Sequence, residues 1–143
     1  MRNLLAGSIA LLFGLLISGC TEPLAIESSS ICSPDLKDKY IRVTGKLLYG
    51  SGSYRCTGGM ASRCSGRFTG FDDRNQMYLE ILEGSSPNKM DVRNKPKEEA
   101  TVFDDNGVFV PPGAPVEITG LMRVYESNST FTCSCEVSRI LKK

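Results

Sequence analysis

The chain has 143 residues with 17 basic and 16 acidic side chains, and it contains no histidine and no tryptophan. A formal net charge of +1 provides no positive excess for binding a phosphate backbone, so nucleic acid is not expected as a partner. The absence of histidine excludes a Ser-His-Asp triad and removes the commonest metal ligand, so we expect a protein that is not an enzyme and has no cofactor or metal site.

The first element is a short apolar segment at the amino terminus. Residues 4–17 are apolar or small, and Arg2 precedes them. A run of this length is shorter than the roughly 20 residues of a membrane-spanning helix, but it is typical of the helical core of a signal peptide, which has about 7–15 residues. We therefore expect residues 1–19 to be a signal peptide.

The end of this segment resembles the lipobox of bacterial lipoproteins. Ile17 occupies the aliphatic position, Ser18 and Gly19 the small positions, and Cys20 the acceptor position. The resemblance implies cleavage before Cys20, a diacylglycerol thioether on its sulfur and an acyl chain such as palmitate on its amino group. It implies anchoring in the cell envelope and, because Thr21 replaces the aspartate of inner-membrane retention, an outer-membrane protein facing the periplasm if the cell is Gram-negative. The alternative is an ordinary secretory signal with a chance cysteine.

The residues after the acceptor cysteine read as a tether. Pro23 and the serines at 28–30 oppose regular structure, so we expect a lipidated tether over 20–31 and one domain over 32–143. The eleven residues 21–31 span about 35 Å when fully extended. The 124 residues that follow the leader suffice for one small domain.

Five segments of the domain show the alternation of apolar and polar residues that is typical of strands. Between the first two lies a Gly- and Ser-rich loop, and between the third and fourth lies a polar insert with room for one short helix at 95–101 and a turn at 104–107. The five predicted strands are residues 40–49, 67–71, 77–83, 115–125 and 131–141.

Two glycines occupy matching positions in the first and fourth predicted strands, Gly45 and Gly120. A glycine within a strand marks a bulge, a bend or a close backbone approach, which suits strands that curl around a barrel. The strand order resembles the OB-fold, a five-stranded Greek-key barrel, and residues 112–120 are similar to the approach to its fourth strand. We therefore expect an all-β fold with at most one short helix, a small OB-like barrel; a small β-sandwich is the alternative.

Five cysteines remain once the lipobox cysteine is lipidated, and an exported chain is expected to form disulfides. Cys56 and Cys64 share one loop, which favours a local bridge. Cys133 and Cys135 lie on the same face of one strand, about 6.6 Å apart, which is at the limit of disulfide geometry and wrongly aimed, so we expect them to bond elsewhere, if at all. We predict the bridges Cys56–Cys64 and Cys32–Cys135, with Cys133 buried and free.

The Gly-rich loop and its flank contain the candidate binding residues Tyr54, Arg55, Arg63 and Arg67. On an OB barrel this loop and the turn at 126–130 frame the binding face. An aromatic ring with arginines suits a sugar, a peptide carboxylate or a polymer phosphate. The alternative is a solvated loop whose arginines only aid solubility.

The leading hypothesis is therefore a lipid-anchored, non-enzymatic binding module. Its partners would be the membrane, through the lipid on Cys20, and an envelope protein or glycan. The alternative is a metal- or redox-active lipoprotein using Cys133 and Cys135, because thiolates bind Cu(I) and Zn²⁺. The carboxylate pairs at 72–73 and 104–105 lie in turn-like sequences and are expected to form turns rather than an acid–base pair.

Overall fold

The computed structural model describes residues 21–48, 56–70, 75–93 and 100–143. The predicted signal peptide, Cys20, the candidate residues Tyr54 and Arg55, the carboxylate pair at 72–73 and most of the predicted helix at 95–101 lie outside these ranges.

The described residues form nine β-strands and two 3₁₀ turns, at Ser28–Ser30 and Pro34–Leu36, so the predicted all-β class is confirmed. The strands are β1 (Leu24–Ile26), β2 (Tyr40–Leu48), β3 (Arg63–Thr69), β4 (Gln76–Glu83), β5 (Lys89–Asp91), β6 (Thr101–Phe103), β7 (Phe109–Val110), β8 (Pro115–Ser127) and β9 (Thr130–Lys142).

The five long strands close into a ring. β3 pairs antiparallel with β2 and with β4, β4 pairs parallel with β9, β9 pairs antiparallel with β8, and β8 returns antiparallel to β2. The ring order is thus β2-β3-β4-β9-β8, which matches the predicted OB-like barrel. The β-sandwich alternative is excluded because one sheet closes on itself rather than two sheets stacking.

The interior follows the predicted alternation. Ile41, Val43 and Leu47 of β2 are buried, and the same alternation buries the inner faces of β4 and β8. Because successive side chains of a strand point to opposite faces, each buried residue leaves its neighbours on the outside of the ring. The outer residues of β3 and β4 are the ones that form the candidate site below.

The two mid-strand glycines are required by close packing. A Cβ at Gly45 would lie 2.3 Å from the carbonyl oxygen of Thr69 and 2.4 Å from the Phe68 ring. A Cβ at Gly120 would lie 2.3 Å from the carbonyl oxygen of Glu136, next to a register shift between β8 and β9. The prediction that these glycines mark bulges or close approaches is confirmed.

The predicted tether is part of the fold. Leu24–Ile26 forms β1, which pairs in parallel with the first half of β2. β3 contacts only the last residues of β2, so the first half of that edge is open for β1. Ile31 and Leu36 are buried in the core. The prediction of an unstructured segment over 20–31 is therefore wrong from Leu24 onward, because β2 offers an unfilled edge and the core offers space for two apolar side chains.

The disulfides are partly as predicted. Cys56 and Cys64 are bonded, and they also form an isolated antiparallel bridge. The second bridge joins Cys32 to Cys133, and Cys135 is the buried free cysteine among the described residues. The prediction of Cys32–Cys135 with Cys133 free is therefore wrong.

The reason for this pairing is the position of the segment before Cys32. Asn75, the residue that precedes β4, donates a side-chain hydrogen bond to the carbonyl oxygen of Ser29 (3.3 Å). β4 and β9 run parallel, so the beginning of β4 lies beside the earlier part of β9. Cys32 therefore meets Cys133, whereas Cys135 is about 6.6 Å further along the strand.

The insert between β4 and β8 contains a small three-stranded meander, β5-β6-β7, whose residues Met90, Val102 and Val110 are buried in the core. Thr101, the last residue of the predicted helix, belongs to strand β6. The predicted turn at 104–107 is confirmed, with Gly107 at φ +73° and its N–H bonded to the carbonyl oxygen of Asp104.

Candidate functional site

The candidate site lies on the outer face of β3 and β4. Phe68 and Met77 are buried in the barrel, so their neighbours Arg67 and Tyr78 point outward. The register places Arg67 directly opposite Tyr78. The Arg67 guanidinium carbon lies 5.8 Å from the centroid of the Tyr78 ring, within the range of a cation–π contact.

The hairpin of β8 and β9 supplies the remaining wall. It extends past the first pair between β4 and β9, so Phe131 projects beyond the barrel and is 41% exposed although its position in the alternation predicts an inward side chain. A cavity of about 190 Å³ lies between the side chains of Arg67, Tyr78 and Phe131. We call this cavity the aromatic pocket. Its other lining residues are Gln76, Met77, Thr132 and Cys133.

The aromatic pocket has the size and chemistry for part of a ligand. Drug-sized ligands occupy pockets of about 300–1,000 Å³, so this cavity suits a single ring or acidic group of a larger molecule. Two aromatic side chains offer apolar faces, and the guanidinium offers several N–H donors for a carboxylate or phosphate. Among the described residues, no carboxylate forms an ion pair with Arg67.

Of the two predicted binding residues that the structure describes, Arg67 lines this pocket and Arg63 does not. Arg63 also points outward from β3, but it is four residues from Arg67, about 13 Å along the strand. Its guanidinium donates a hydrogen bond to the carbonyl oxygen of Glu80 (3.1 Å), and it borders a separate, wider groove of about 600 Å³. Tyr54 and Arg55 lie outside the described residues.

Sequence reasoning missed Tyr78 and Phe131. The signal for Tyr78 is present in the sequence, because the alternation in 77–83 puts Met77 and Leu79 on one face and therefore Tyr78 on the other. In the predicted strand 131–141, alternation puts Phe131 on the same face as Cys133 and Cys135, which is the inward face. Its exposure follows from the length of the β8–β9 hairpin relative to β4, which no local pattern specifies.

The neighbouring outer face is occupied by paired charges. Arg123 donates hydrogen bonds to Glu136 (2.8 Å) and Asp38 (2.5 Å), and these two contacts raise the pKa of the guanidinium. The Ser134 hydroxyl donates to a carboxylate oxygen of Glu80 (3.0 Å). These carboxylates are already bound by side chains of the protein, whereas no described carboxylate pairs with the Arg67 guanidinium.

Cys133 and Cys135 do not form a dithiol site. Cys133 is bonded to Cys32, and burial, followed by the charges of Glu136 and Glu80, raises the pKa of the Cys135 thiol to about 12. At neutral pH Cys135 is therefore a thiol and not the thiolate that binds metals or attacks disulfides.

One group of potential metal ligands occurs in the part of the chain that the structure describes. The ligand atoms of Cys56, Cys64 and Glu83 lie within 4.8 Å of one another. Both sulfurs are bonded to each other, so they are not available as thiolates in this state.

The carboxylates of the turn at 104–107 stabilise the backbone. Asp104 is buried and accepts hydrogen bonds from the N–H groups of Asn106 and Val108. Asp105 accepts hydrogen bonds from Asn88 and Arg139. These two bonds, first that of Asn88 and then that of Arg139, are the main causes of the lowered pKa of Asp105. Both residues thus act as turn and packing groups, as the sequence predicts.

Comparison of the chain with protein-family models and with curated proteins gave no match in either case. Within the described ranges, no helix is both long enough and apolar enough to span a bilayer. The geometry of the aromatic pocket is therefore the main support for a function.

Proposed function

We propose that the chain is a bacterial envelope lipoprotein, anchored by lipid on Cys20, whose barrel is a non-enzymatic module that binds an envelope glycan at the aromatic pocket. The observation that carries the binding role is the Arg67 guanidinium over the Tyr78 ring on the outer face of β3 and β4. In OB barrels, oligosaccharides and oligonucleotides bind to this face and to the loops beside it.

The chemistry of the pocket favours a glycan that carries an acidic group. The apolar C–H face of a sugar ring packs against Tyr78 and Phe131, and a carboxylate or phosphate on the same ligand binds the Arg67 guanidinium. Nucleic acid would need a basic stripe, whereas the chain has 17 basic and 16 acidic residues. An envelope protein that presents a carboxylate is the other partner class.

The binding test compares variants of the pocket with a matched arginine elsewhere. Full-length protein in detergent is incubated with purified cell-wall fragments, and the bound fraction is measured against fragment concentration. Arg67→Gln is expected to weaken binding about 10- to 100-fold. The reason is that it removes a charge-assisted hydrogen bond, which contributes about 1.5–3 kcal/mol. Arg93→Gln removes an exposed arginine near β5, outside the aromatic pocket, and is expected to leave binding unchanged.

Failure of this test has a clear form. If wild type and Arg67→Gln bind wall fragments equally, the glycan site is wrong. If neither binds wall fragments but both capture the same envelope protein, the partner is a protein.

The membrane attachment is tested separately. Cells that express the wild-type chain or Cys20→Ala are labelled with radioactive palmitate. The sequence Ile17-Ser18-Gly19-Cys20 supports label in the wild type and none in the variant. Equal labelling of both would contradict the lipid attachment.

The metal- or redox-active alternative has no comparable support. It requires Cys133 and Cys135 to act as two thiolates, and the structure gives one a disulfide partner and the other a raised pKa. We therefore do not propose it.

A further inference from the structure

The folded domain begins almost immediately after Cys20. The described chain starts at Thr21, and Leu24 is the first residue paired in the sheet. Leu24 is four residues from Cys20, so the connection spans at most about 14 Å. A lipid on Cys20 would therefore hold the barrel within about 15 Å of the headgroups, much closer than the roughly 35 Å that a free eleven-residue tether would allow.

The segment that leads from Cys20 is fixed to the barrel. β1 pairs with β2 through three residues, Ile31 is buried in the core, and Cys32 is bonded to Cys133. Because this segment is held by hydrogen bonds, by packing and by a covalent bond, it does not let the barrel rotate freely relative to its anchor. The place where the chain leaves the barrel then defines which face meets the membrane.

A groove of about 470 Å³ lies at this place, and its residues fit a headgroup surface. Leu24 and Tyr40 are exposed apolar and amphipathic side chains, and Tyr is enriched at membrane interfaces. The groove contains one basic residue, Lys39, and two acidic residues, Glu22 and Asp38, of which Asp38 is paired with Arg123. The exposed apolar and aromatic side chains, and not a net positive charge, therefore make this surface suitable for the headgroup region. We call it the anchor-proximal face; it consists of Thr21, Glu22, Leu24, Asp38, Lys39, Tyr40 and Leu121.

We propose that the anchor-proximal face rests on the headgroups of a phospholipid bilayer and that the aromatic pocket consequently points away from the membrane. The proposal rests on the lipid attachment proposed above. We assign a bilayer to this face because Thr21, which lines the groove, directly follows the predicted acceptor cysteine.

The strand order gives the direction of the aromatic pocket. Tyr40 and Leu121, opposite each other in the anchor-proximal face, belong to the adjacent strands β2 and β8. β4, which carries Tyr78, is two strands from β2 through β3 and two strands from β8 through β9. In a five-stranded ring this is the opposite side. A barrel resting on β2 and β8 therefore presents Tyr78 to the envelope space.

The test uses tryptophan as a reporter, because the chain has none. Tyr40→Trp and Tyr78→Trp are matched positions, 37% and 50% exposed. Each full-length lipidated protein is reconstituted into vesicles of phosphatidylethanolamine and phosphatidylglycerol that contain phospholipid brominated near the headgroup. Tyr40→Trp is expected to show quenching about threefold or more stronger than Tyr78→Trp, because quenching requires contact with the interface.

A second pair of variants controls for misfolding, because Tyr40→Trp removes the hydrogen bond between Tyr40 and Ser138. Leu24→Trp and Tyr78→Trp replace residues that are 47% and 50% exposed, and the same difference in quenching is expected. Equal quenching within both pairs, in protein whose mass shows the acyl chains, would overturn the orientation alone. Absence of the acyl mass would overturn the lipid attachment and the orientation with it.

Discussion

Cys133 is bonded to Cys32, 101 residues earlier in the chain, whereas Cys135, two residues further along the same strand, is a buried free thiol. The bond attaches the segment after β1 to the centre of the sheet. It therefore joins the amino-terminal segment, which leads from the proposed lipid anchor, to the strand that borders the aromatic pocket.

The two disulfides are expected to contribute unequally to stability. In the chain-entropy model, closing a loop of about 100 residues stabilises by about 4–5 kcal/mol and a loop of about 8 residues by about 2–3 kcal/mol. The double variant Cys32→Ser/Cys133→Ser should therefore lose more unfolding free energy than Cys56→Ser/Cys64→Ser. Urea unfolding measures both. Equal losses, or a larger loss for Cys56–Cys64, would contradict the structural role of the long bridge.

The Cys135 thiol is expected to make stability fall at high pH. Its pKa is raised from about 9 to about 12 in the folded protein, mainly by burial. Between these values the unfolded chain releases this proton and the folded protein retains it, so the group lowers stability by about 1.4 kcal/mol for each pH unit. Below about pH 9 both states hold the proton and the contribution is constant.

The measurement compares wild type with Cys135→Ala, which removes the thiol. The difference between their unfolding free energies should shift by about 1–2 kcal/mol between about pH 8 and about pH 10, with wild type becoming relatively less stable. A difference that does not change with pH would show that Cys135 is accessible to solvent or ionised in the folded state.

Alanine at the two barrel glycines is expected to destabilise the fold. The added Cβ at Gly45 or Gly120 would lie 2.3 Å from a backbone oxygen of the adjacent strand, which cannot move without opening the ladder. We expect losses of at least about 2 kcal/mol, since overpacking commonly costs 1–3 kcal/mol. Gly58→Ala is the control, because no heavy atom lies within 4 Å of its added Cβ. Thermal unfolding that is equal for all three variants would contradict the close approach.

The ring of strands could be predicted from the sequence because the pattern that indicates each strand lies within that strand. Alternation in β2 and β8 shows directly which residues face the core, and Gly45 and Gly120 stand out as breaks in that pattern. The order of long and short strands then limits how they can pair. These properties need no knowledge of which distant residues become neighbours.

The errors all concern distant neighbours. β1 forms because β3 leaves the first half of the β2 edge open, and Cys32 reaches Cys133 because Asn75 positions the segment at the start of β4. Neither relationship is encoded near the residues involved. The aromatic pocket is similar, because it needs the register of β3 against β4 and the projection of the β8–β9 hairpin.

The most direct measurement of the central claim is photocrosslinking in intact cells. A photoreactive phenylalanine analogue replaces Phe131, at the aromatic pocket, or Phe109, which has similar exposure on β7. The account predicts an irradiation-dependent adduct at position 131 that enzymes degrading the cell wall remove, and no such adduct at position 109. Absence of an adduct at position 131, or equal glycan adducts at both positions, would contradict the proposal that the barrel binds an envelope glycan at the aromatic pocket.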